Sequence, residues 1–344
     1  MRRIAVIPGD GIGPEVTAEA LRTLHAVAPD LEFDVLDHVN ADRYLATGTA
    51  LSADDFARVA SCDGALLGAV GDPRVTSPHY ARDVLLRLRF ELDLYINHRP
   101  AQLLHDRLSP LRDQGRRPID CTVVRENTEG PYVGVGGALR VGTPHETAID
   151  TEVSTYRGVR RAMEFAFARA TRSVCLVDKA NAVPHNGTLW QRCFREAAAL
   201  RPDLPTRHLY VDAAVMLLVQ DPTAFDVIVA NNAHGDVLSD LTAQLAGGPG
   251  TAASANLNPQ TGYALCEPVH GSAPDLAGTG RANPLAAVLS AALLLDCAGR
   301  AEQAERIRTA VRTVVRDLRC TADIGGSLTT SGAGAAVRDA LHGE

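Results

Sequence analysis

The sequence predicts an α/β fold built on a large, mixed but largely parallel β-sheet. Short apolar runs end in glycine or in a polar residue, and segments of helical periodicity follow them directly. Strands that are almost entirely apolar, such as residues 225–230, are typical of a sheet that is covered on both faces. The chain has no internal repeat and no low-complexity linker, so we expect any second domain to be an insertion within the first.

The chain opens with a strand, a glycine turn and a helix. Residues 4–8 are apolar, GDGIGP follows at 9–14, and helical periodicity runs from Val16 to Val27. The turn lacks the third glycine of G-x-G-x-x-G, and no acidic residue ends a second strand, so a Rossmann fingerprint is rejected. Residues 64–70 predict another strand, and the glycine-rich turn after it is a place where α/β proteins bind ligands.

The middle of the chain continues this alternation. Residues 81–91 predict a helix with one apolar face, and the strand after it should stop at Pro100 because proline cannot donate to a ladder. The glycine-rich stretch 132–151 predicts an extended hairpin arm. Further strands are predicted at residues 121–124, 173–178, 209–212 and 225–230, and further helices at residues 156–170, 188–200, 231–241, 285–297, 304–318 and 335–341. Residues 247–284 have loop-like sequence between these elements.

Composition excludes several classes of protein. The 344 residues are 46% hydrophobic and 22% charged with a net charge of -7, which argues against nucleic acid or an anionic membrane as a bulk partner. No apolar run approaches membrane-spanning length, and the first run is too short for a signal peptide. Seven scattered cysteines without a C-x-x-C pair indicate neither disulfides nor structural zinc. We expect a cytoplasmic protein that acts on a small molecule.

Lys179 is the only lysine in an arginine-rich chain, and it follows the apolar run 174–177 and Asp178. An ammonium group can be shifted into a useful pKa range, whereas a guanidinium stays charged at any working pH. Lys179 is therefore a candidate proton acceptor. The alternative is a surface lysine without a role, and the residue alone does not decide between the two.

Asp236 and Asp240 lie one helical turn apart, so both carboxylates share one face of a predicted helix. Two unpaired carboxylates there repel each other, and a hard divalent cation such as Mg²⁺ or Mn²⁺ relieves that repulsion. Asp212, at another strand end, offers a third ligand. The alternative is that Asp236 caps the helix while Asp240 is solvated.

Arg89, Arg99 and Arg125 come from three separate elements. Guanidinium groups bind carboxylates through two parallel hydrogen bonds, so three convergent arginines suit a substrate with two carboxylates. Each arginine taken singly is equally explained by a surface ion pair.

Residues 266–275, followed by Asn283 and Pro284, predict a polar loop with features of a nucleotide clamp. Small residues let the backbone approach phosphates, His270 can contact a phosphate or a ring, and Asp275 suits a ribose diol. The alternative is an ordinary Ω-loop.

Several separated stretches together resemble one family, the β-decarboxylating dehydrogenases, which include enzymes for 3-isopropylmalate, isocitrate, homoisocitrate and tartrate. The stretches are GDGIGPEV (9–16), LLGAVGDP (66–73), LRLRFELDLYINHRP (86–100), VVRENTEGPYVG (123–134), VDKANAV (177–183), NNAHGDVLSDL (231–241) and EPVHGSAPDLAGTGRANP (267–284). They occur in the family's order and span nearly the whole chain. The resemblance implies the family's two-domain fold: residues 1–97 with 247–344 on the cofactor side, and an inserted domain at 98–246 for substrate and dimerisation.

The resemblance also implies NAD-dependent oxidative decarboxylation of a 3-substituted malate by a homodimer with shared sites, joined by the arm at 132–151. Lys179 would accept the hydroxyl proton and Tyr132 would protonate the enolate carbon. The implied metal ligands for Mg²⁺ or Mn²⁺ are Asp236 and Asp240 with the partner subunit's Asp212. The implied substrate residues are Arg89, Arg99, Arg125, Leu85, Leu86 and Asp212. The implied NAD residues are Glu267, His270, Gly271, Ser272, Ala273, Asp275 and Asn283.

Substrate choice is implied by the residues before Arg89. Val84, Leu85 and Leu86 resemble the apolar wall that the family's isopropylmalate enzymes present to a branched alkyl group, which favours 3-isopropylmalate. Two features leave homoisocitrate, tartrate or another malate analogue open as the substrate. The charged pair Arg82-Asp83 stands beside the wall, and His234 replaces the phenylalanine that isopropylmalate enzymes usually carry.

Overall fold

The computed structural model describes residues 1–77, 79–113 and 118–342. Within these residues a ten-stranded sheet has the order β2-β1-β3-β12-β11-β4-β5-β10-β8-β9, and β6 and β7 form a separate hairpin. The strands are β1 (Arg3–Gly9), β2 (Glu32–Val35), β3 (Gly64–Ala69), β4 (Ile96–Gln102), β5 (Asp120–Glu126), β6 (Gly136–Leu139), β7 (Thr147–Asp150), β8 (Val174–Asp178), β9 (Thr206–Tyr210), β10 (Val227–Ala230), β11 (Ala253–Asn258) and β12 (Tyr263–Pro268).

Helices connect most of these strands. They are α1 (Gly13–Val27), α2 (Ala41–Thr47), α3 (Ala53–Ala60), α4 (His79–Ala81), α5 (Arg87–Glu91), α6 (Tyr156–Arg169), α7 (Pro184–Leu200), α8 (Val211–Gln220), α9 (Asn232–Leu245), α10 (Leu285–Cys297), α11 (Ala301–Arg316) and α12 (Thr330–His342). A π-helical stretch, Arg82–Leu86, joins α4 to α5. In the described part of the chain, no helix has the length and apolar character needed to cross a bilayer.

The sheet consists of two parallel halves that run in opposite directions. β2, β1, β3 and β12 are parallel, as are β5, β10, β8 and β9, while β11 and β4 form antiparallel pairs between the halves. The predicted mixed, largely parallel α/β fold is confirmed.

Both faces of each half are covered by apolar packing. Along β1, Ile4 and Val6 belong to one core cluster and Ala5 and Ile7 to another, because successive side chains of a strand point to opposite faces. One core cluster is drawn from residues 5–94 with Leu265, and another from residues 101–246. The largest cluster runs through both parts. The two-domain division therefore stays a prediction.

Three local expectations were wrong. β4 continues past Pro100 to Gln102; because β11 pairs with β4 only as far as His98, one side of β4 is unpaired at the proline. Residues 247–284 were predicted to be loop-like, but they contain the buried strands β11 and β12. Asp212 does not end a strand but lies in the first turn of α8.

The glycine-rich stretch after Tyr132 forms the antiparallel hairpin β6–β7, paired from Gly136 with Asp150 to Leu139 with Thr147. Its residues are exposed throughout, including Leu139, Val141 and Ile149, of which more than half of the surface is accessible. This hairpin has the form expected of an arm, and it leaves a row of apolar side chains without cover.

Candidate active site

Polar side chains line one face of the four central strands. Glu267 lies opposite Ser254, Asn256 opposite Asn97, and Asn97 opposite Arg125 in the strand register. Residues that lie directly opposite each other point to the same face of a sheet. The junction between the two halves of the sheet therefore presents charge and amide groups where the flanks present apolar packing.

The three predicted arginines are all held at this junction. Arg89 donates to Glu267 at 3.0 Å, and Arg99 donates to Asp240 at 2.9 Å and to Ser239 at 2.8 Å. The Arg125 guanidinium is ion-paired with Asp236 and donates through Nε to Asn232 at 2.8 Å. Burial lowers the pKa of Arg125 to about 10 although Asp236 opposes that shift. Arg99 and Arg125 converge on the aspartates of α9, and Arg89 lines the same cavity as Arg99, so the three are not independent surface ion pairs.

Asp236 and Asp240 lie on α9, facing these guanidiniums. Asn231 caps this helix by accepting from the His234 backbone N–H at 2.8 Å, so the alternative in which Asp236 is the cap is wrong. Burial, and after it repulsion from Asp236, raise the pKa of Asp240, although Arg99 opposes the shift. Two hard oxygen donors one helical turn apart on the same helix match what a divalent cation requires.

The third predicted ligand, Asp212, is not brought to this pair within one chain. Among residues 1–77, 79–113 and 118–342, no three histidine, cysteine or acidic side chains are placed to hold a metal ion. Asp212 instead accepts from Lys179 Nζ at 2.6 Å, and that bond holds the pKa of Asp212 below its usual range. Lys179 and Asp212 thus form a second, separate group.

The residue before Lys179 is fixed by a network that sequence reasoning missed. Asp178 is buried, and its carboxylate is 2.8 Å from His208 Nε2 and accepts from Gln191 at 3.0 Å. It also accepts from the Ala180 backbone N–H at 3.1 Å. These contacts fix the turn in which Lys179 lies.

Tyr132 lies in the turn between β5 and the arm, beside the arginine and aspartate cluster. Its hydroxyl is 3.4 Å from Asp236 Oδ2, and the Arg125 guanidinium is 5.7 Å from its ring centroid. Burial, and after it the charge of Asp236, raise the pKa of Tyr132. The hydroxyl therefore keeps its proton at neutral pH and can donate it.

A cavity of about 180 Å³ adjoins Arg89 and Arg99. Leu85 and Val70 form apolar parts of its wall, and Arg89, Arg99 and Glu267 form polar parts. Leu86 is not among the lining residues, so the structure places only one of the two predicted wall leucines at the cavity.

The predicted nucleotide loop starts later than expected, because Glu267 belongs to β12. Glu267 accepts from Arg89 and from Asn256 at 2.7 Å, so its carboxylate is held within the sheet rather than in a loop. His270 Nδ1 contacts the Gly271 carbonyl at 3.0 Å. Its Nε2 is buried and has no partner in the described chain. Burial lowers the pKa of His270, so this ring is neutral and has one nitrogen free for a ligand.

The rest of that loop is mainly shaped by backbone contacts. The Ser272 carbonyl accepts from Ile12 N–H at 2.8 Å, and Ala273 has a left-handed φ of 39°. Asp275 follows in a short 3₁₀ turn, where its side chain is exposed. Asn283 is buried, donating to Asp323 at 2.9 Å and accepting from Leu285 N–H at 3.0 Å, so its amide already has protein partners.

Two features left other malates open as the substrate, namely the charged pair Arg82-Asp83 and His234. Arg82 is exposed, and its guanidinium lies where a Cβ on Gly134 would be; Asp83 is exposed as well. The His234 ring carries a buried Nδ1 that has no partner among the described residues. Burial lowers the pKa of His234, whereas the nearby charges of Glu152 and Asp178 oppose this.

Comparison with known proteins places the chain as a whole in a family. Residues 3–337 match the model of the family described as isocitrate/isopropylmalate dehydrogenase. The chain is 47% identical over 343 residues to the 3-isopropylmalate dehydrogenase of Beutenbergia cavernae, covering 96% of this chain and 98% of that protein. It is 49% identical over 314 residues to the 3-isopropylmalate dehydrogenase of Rhodococcus erythropolis, covering 90% and 92%.

Among solved structures, the isocitrate dehydrogenase of Methylococcus capsulatus superposes with a TM-score of 0.90 at 34% identity, and the match covers 99% of each chain. The match extends across both halves of the sheet and the junction that carries the arginines. The chain therefore belongs to the isocitrate/isopropylmalate dehydrogenase family.

Proposed function

We propose that the protein oxidises 3-isopropylmalate with NAD⁺ to give 4-methyl-2-oxopentanoate, CO₂ and NADH, as a step of leucine biosynthesis. The observation that carries the proposal is that Arg99 and Arg125 pair with Asp240 and Asp236 beside Tyr132, while Arg89 and Arg99 line a small cavity with a leucine wall. The names of the curated relatives support the same activity.

The three guanidiniums suit the two carboxylates of a malate. Arg99 and Arg125 at present neutralise Asp240 and Asp236. With Asp236 and Asp240 holding Mg²⁺ or Mn²⁺, both arginines become available for carboxylates. When bound, the divalent ion acidifies the 2-hydroxyl as a Lewis acid, and the nicotinamide accepts the hydride. Binding of the metal ion and of the substrate should therefore reinforce each other.

Lys179 and Tyr132 would move the protons. Lys179, beside Asp212, accepts the hydroxyl proton as the 2-oxo group forms. That carbonyl then draws electrons from the bond to the 3-carboxylate, which leaves as CO₂. Tyr132, whose hydroxyl keeps its proton at neutral pH, donates to carbon 3 of the resulting enolate. His270, with its free buried nitrogen, and the Gly271–Ala273 backbone are the best-placed residues for NAD.

A homodimer with shared sites would unite the two groups of the site. Lys179 and Asp212 bind each other apart from Asp236 and Asp240, so the described part of a single chain offers an incomplete set of metal ligands. Around them, α8 and α9 expose Met216 and Val237, and the arm exposes its own apolar row. Apolar side chains exposed on adjacent elements are typical of a surface that another chain covers.

The proposal is tested by NADH formation, measured by absorbance, with Mn²⁺ and a panel of malates that carry isopropyl, ethyl, methyl, hydroxyl or carboxyalkyl groups at carbon 3. We expect the highest kcat/KM with isopropyl, since the wall at Leu85 is apolar. Omission of the divalent ion should abolish turnover. A preference for a carboxyalkyl group would reject 3-isopropylmalate, and no NADH with any malate would reject the dehydrogenase activity.

A malate with an acidic substituent is the second candidate, favoured by one observation. The Arg82 guanidinium lies beside Gly134, close to the turn that carries Tyr132. Arg82 belongs to the same π-helical stretch as Leu85, the leucine of the cavity wall. If a malate with an acidic substituent has the highest kcat/KM of the panel in the wild type but not in Arg82→Ala, Arg82 is the group that binds the extra carboxylate.

A further inference from the structure

We propose that Asp10 and Tyr80 are positioning residues that set the width of the cavity beside Arg89, and with it the size of carbon-3 substituent that the enzyme accepts. This inference rests on the proposed function. It is carried by a buried cluster of hydrogen bonds that lies outside the arginine and aspartate cluster.

Asp10 lies in the glycine turn after β1, and it is 6% exposed. Its Oδ1 accepts from the Ala41 backbone N–H at 2.7 Å. Its Oδ2 accepts twice, from the Gly71 backbone N–H at 2.8 Å and from the Tyr80 hydroxyl at 2.5 Å. One carboxylate thus joins three separate segments to the end of β1.

The two groups that donate to Asp10 Oδ2 belong to the segments that form the two apolar walls of the cavity. Gly71 directly follows Val70, which lines one side. Tyr80 belongs to α4, which continues through the π-helical stretch to Leu85 on the other side and then to Arg89. A single oxygen atom therefore fixes both walls relative to each other.

The helical segment needs such an anchor because it is not a regular α-helix. A π-helical turn is wider than an α-helical turn and adds a residue to it, so small shifts at its start change where later side chains point. Tyr80 fixes that start: it is 2% exposed, and its ring packs against Tyr44 at 5.1 Å between centroids. Leu85 and Arg89 then emerge in a fixed direction.

The anchor itself has little freedom to move. Gly9 and Gly11 have φ values of 73° and 57°, and a Cβ on either would collide with a backbone carbonyl, of Ala69 and Ser272 respectively. Ile12 N–H also donates to the Ser272 carbonyl at 2.8 Å. The loop that carries Asp10 is therefore held between the end of β3 and the loop after β12.

The test is Tyr80→Phe, which removes the hydroxyl and keeps the buried ring, with Tyr44→Phe as the matched control. Both variants are assayed with malates bearing methyl, ethyl, isopropyl and tert-butyl groups. We expect Tyr80→Phe to reduce the ratio of kcat/KM between the best and the poorest of these malates by about tenfold, mainly through KM. The reason is that loss of the hydrogen bond to the Asp10 carboxylate lets one wall of the cavity move. Tyr44→Phe should keep the wild-type preference.

Hydrogen exchange provides a readout that does not depend on turnover. Amides of residues 79–91 should exchange faster in Tyr80→Phe than in Tyr44→Phe, with no such difference at α10. An unchanged preference in an active Tyr80→Phe enzyme, or equal exchange at residues 79–91 in both variants, would overturn the inference. If the wild type turns over none of the malates, the proposed function fails, and the exchange comparison still decides whether Tyr80 holds the wall.

Discussion

Lys179 shows how one side chain acquires a chemical role from its surroundings. Its ammonium group is paired with Asp212 at 2.6 Å, and the preceding Asp178 is fixed by His208 and Gln191. The sequence marked Lys179 only as the one lysine in the chain. The structure adds a fixed turn around Lys179 and places the Asp212 carboxylate within hydrogen-bond distance of its nitrogen.

Replacing Lys179 by Arg should preserve the fold and the positive charge yet lower kcat at least about a hundredfold, because a guanidinium cannot accept the hydroxyl proton. The measurement is NADH formation with the preferred malate, together with thermal unfolding to verify the fold. Lys179→Ala serves as the companion variant, and added methylamine should restore part of its activity by supplying the missing amine. Near-normal turnover in Lys179→Arg would show that Lys179 is not the base.

At the scale of elements, the turn after β5 depends on a buried carboxyl group. Glu126 is 1% exposed, and it accepts from Thr128 N–H at 2.8 Å and from Glu129 N–H at 2.9 Å. Burial raises the pKa of Glu126 from 4.5 to about 7, although these hydrogen bonds oppose the shift. The folded protein therefore holds this proton more tightly than the unfolded chain does.

This pKa predicts a loss of stability as pH rises. Below the unfolded pKa both states are protonated; between 4.5 and about 7 the unfolded chain releases its proton first, so the free energy of unfolding falls, and above about 7 it levels off. Glu126→Gln lacks this titration. Its free energy of unfolding in urea, relative to the wild type, should improve by about 2 kcal/mol from about pH 5 to about pH 8. A constant difference between the two proteins over that range would contradict the raised pKa.

The elements also show what the sequence could predict. Long amphipathic helices such as α11 and apolar strands such as β10 follow from periodicity, because burial alone selects that pattern. β11 was missed because Asn256 and Ser254 resemble loop residues. Their side chains can be buried in the sheet because they have hydrogen-bond partners on the neighbouring strand. Asn97 of β4 donates to Ser254 at 2.8 Å and to Asn256 at 3.0 Å.

The candidate site likewise contains residues that the sequence identifies and residues that it does not. The motifs identified Arg89, Arg99, Arg125, Asp236 and Asp240, and their convergence could be seen only once the two halves of the sheet were joined. Asp10 and Tyr80 could not be found from spacing, since their contact joins segments that are distant in the chain. Side chains that act through other side chains leave no local pattern.

At the scale of the whole molecule, the exposed apolar surface and the divided site predict the same assembly. Val237 on α9, Met216 on α8 and Leu139 on the arm are each more than 60% exposed, which is unusual for large apolar side chains. Lys179 is paired with Asp212, and among the described residues Asp212 is not placed to share a metal ion with Asp236 and Asp240 beside Tyr132. A symmetric dimer would cover the apolar surface and bring one chain's Lys179 to the other chain's Tyr132.

Subunit mixing tests this directly. Lys179→Met and Tyr132→Phe should each be nearly inactive alone as homodimers. If sites are shared, a mixed dimer has one intact site, formed by Lys179 of the Tyr132→Phe chain and Tyr132 of the Lys179→Met chain. Random reassociation of equal amounts after mild urea treatment should then restore about a quarter of wild-type activity, since half of the dimers are mixed and each has one working site.

A matched mixture distinguishes sharing from simple refolding. Lys179→Met combined with a chain carrying both Lys179→Met and Tyr132→Phe contains no intact site in either arrangement, so it should stay inactive after the same treatment. Sedimentation should show dimers in every sample. If the first mixture also stays inactive although mixed dimers form, Lys179 and Tyr132 act within one chain, and the apolar surface of α8, α9 and the arm has a role other than completing the site.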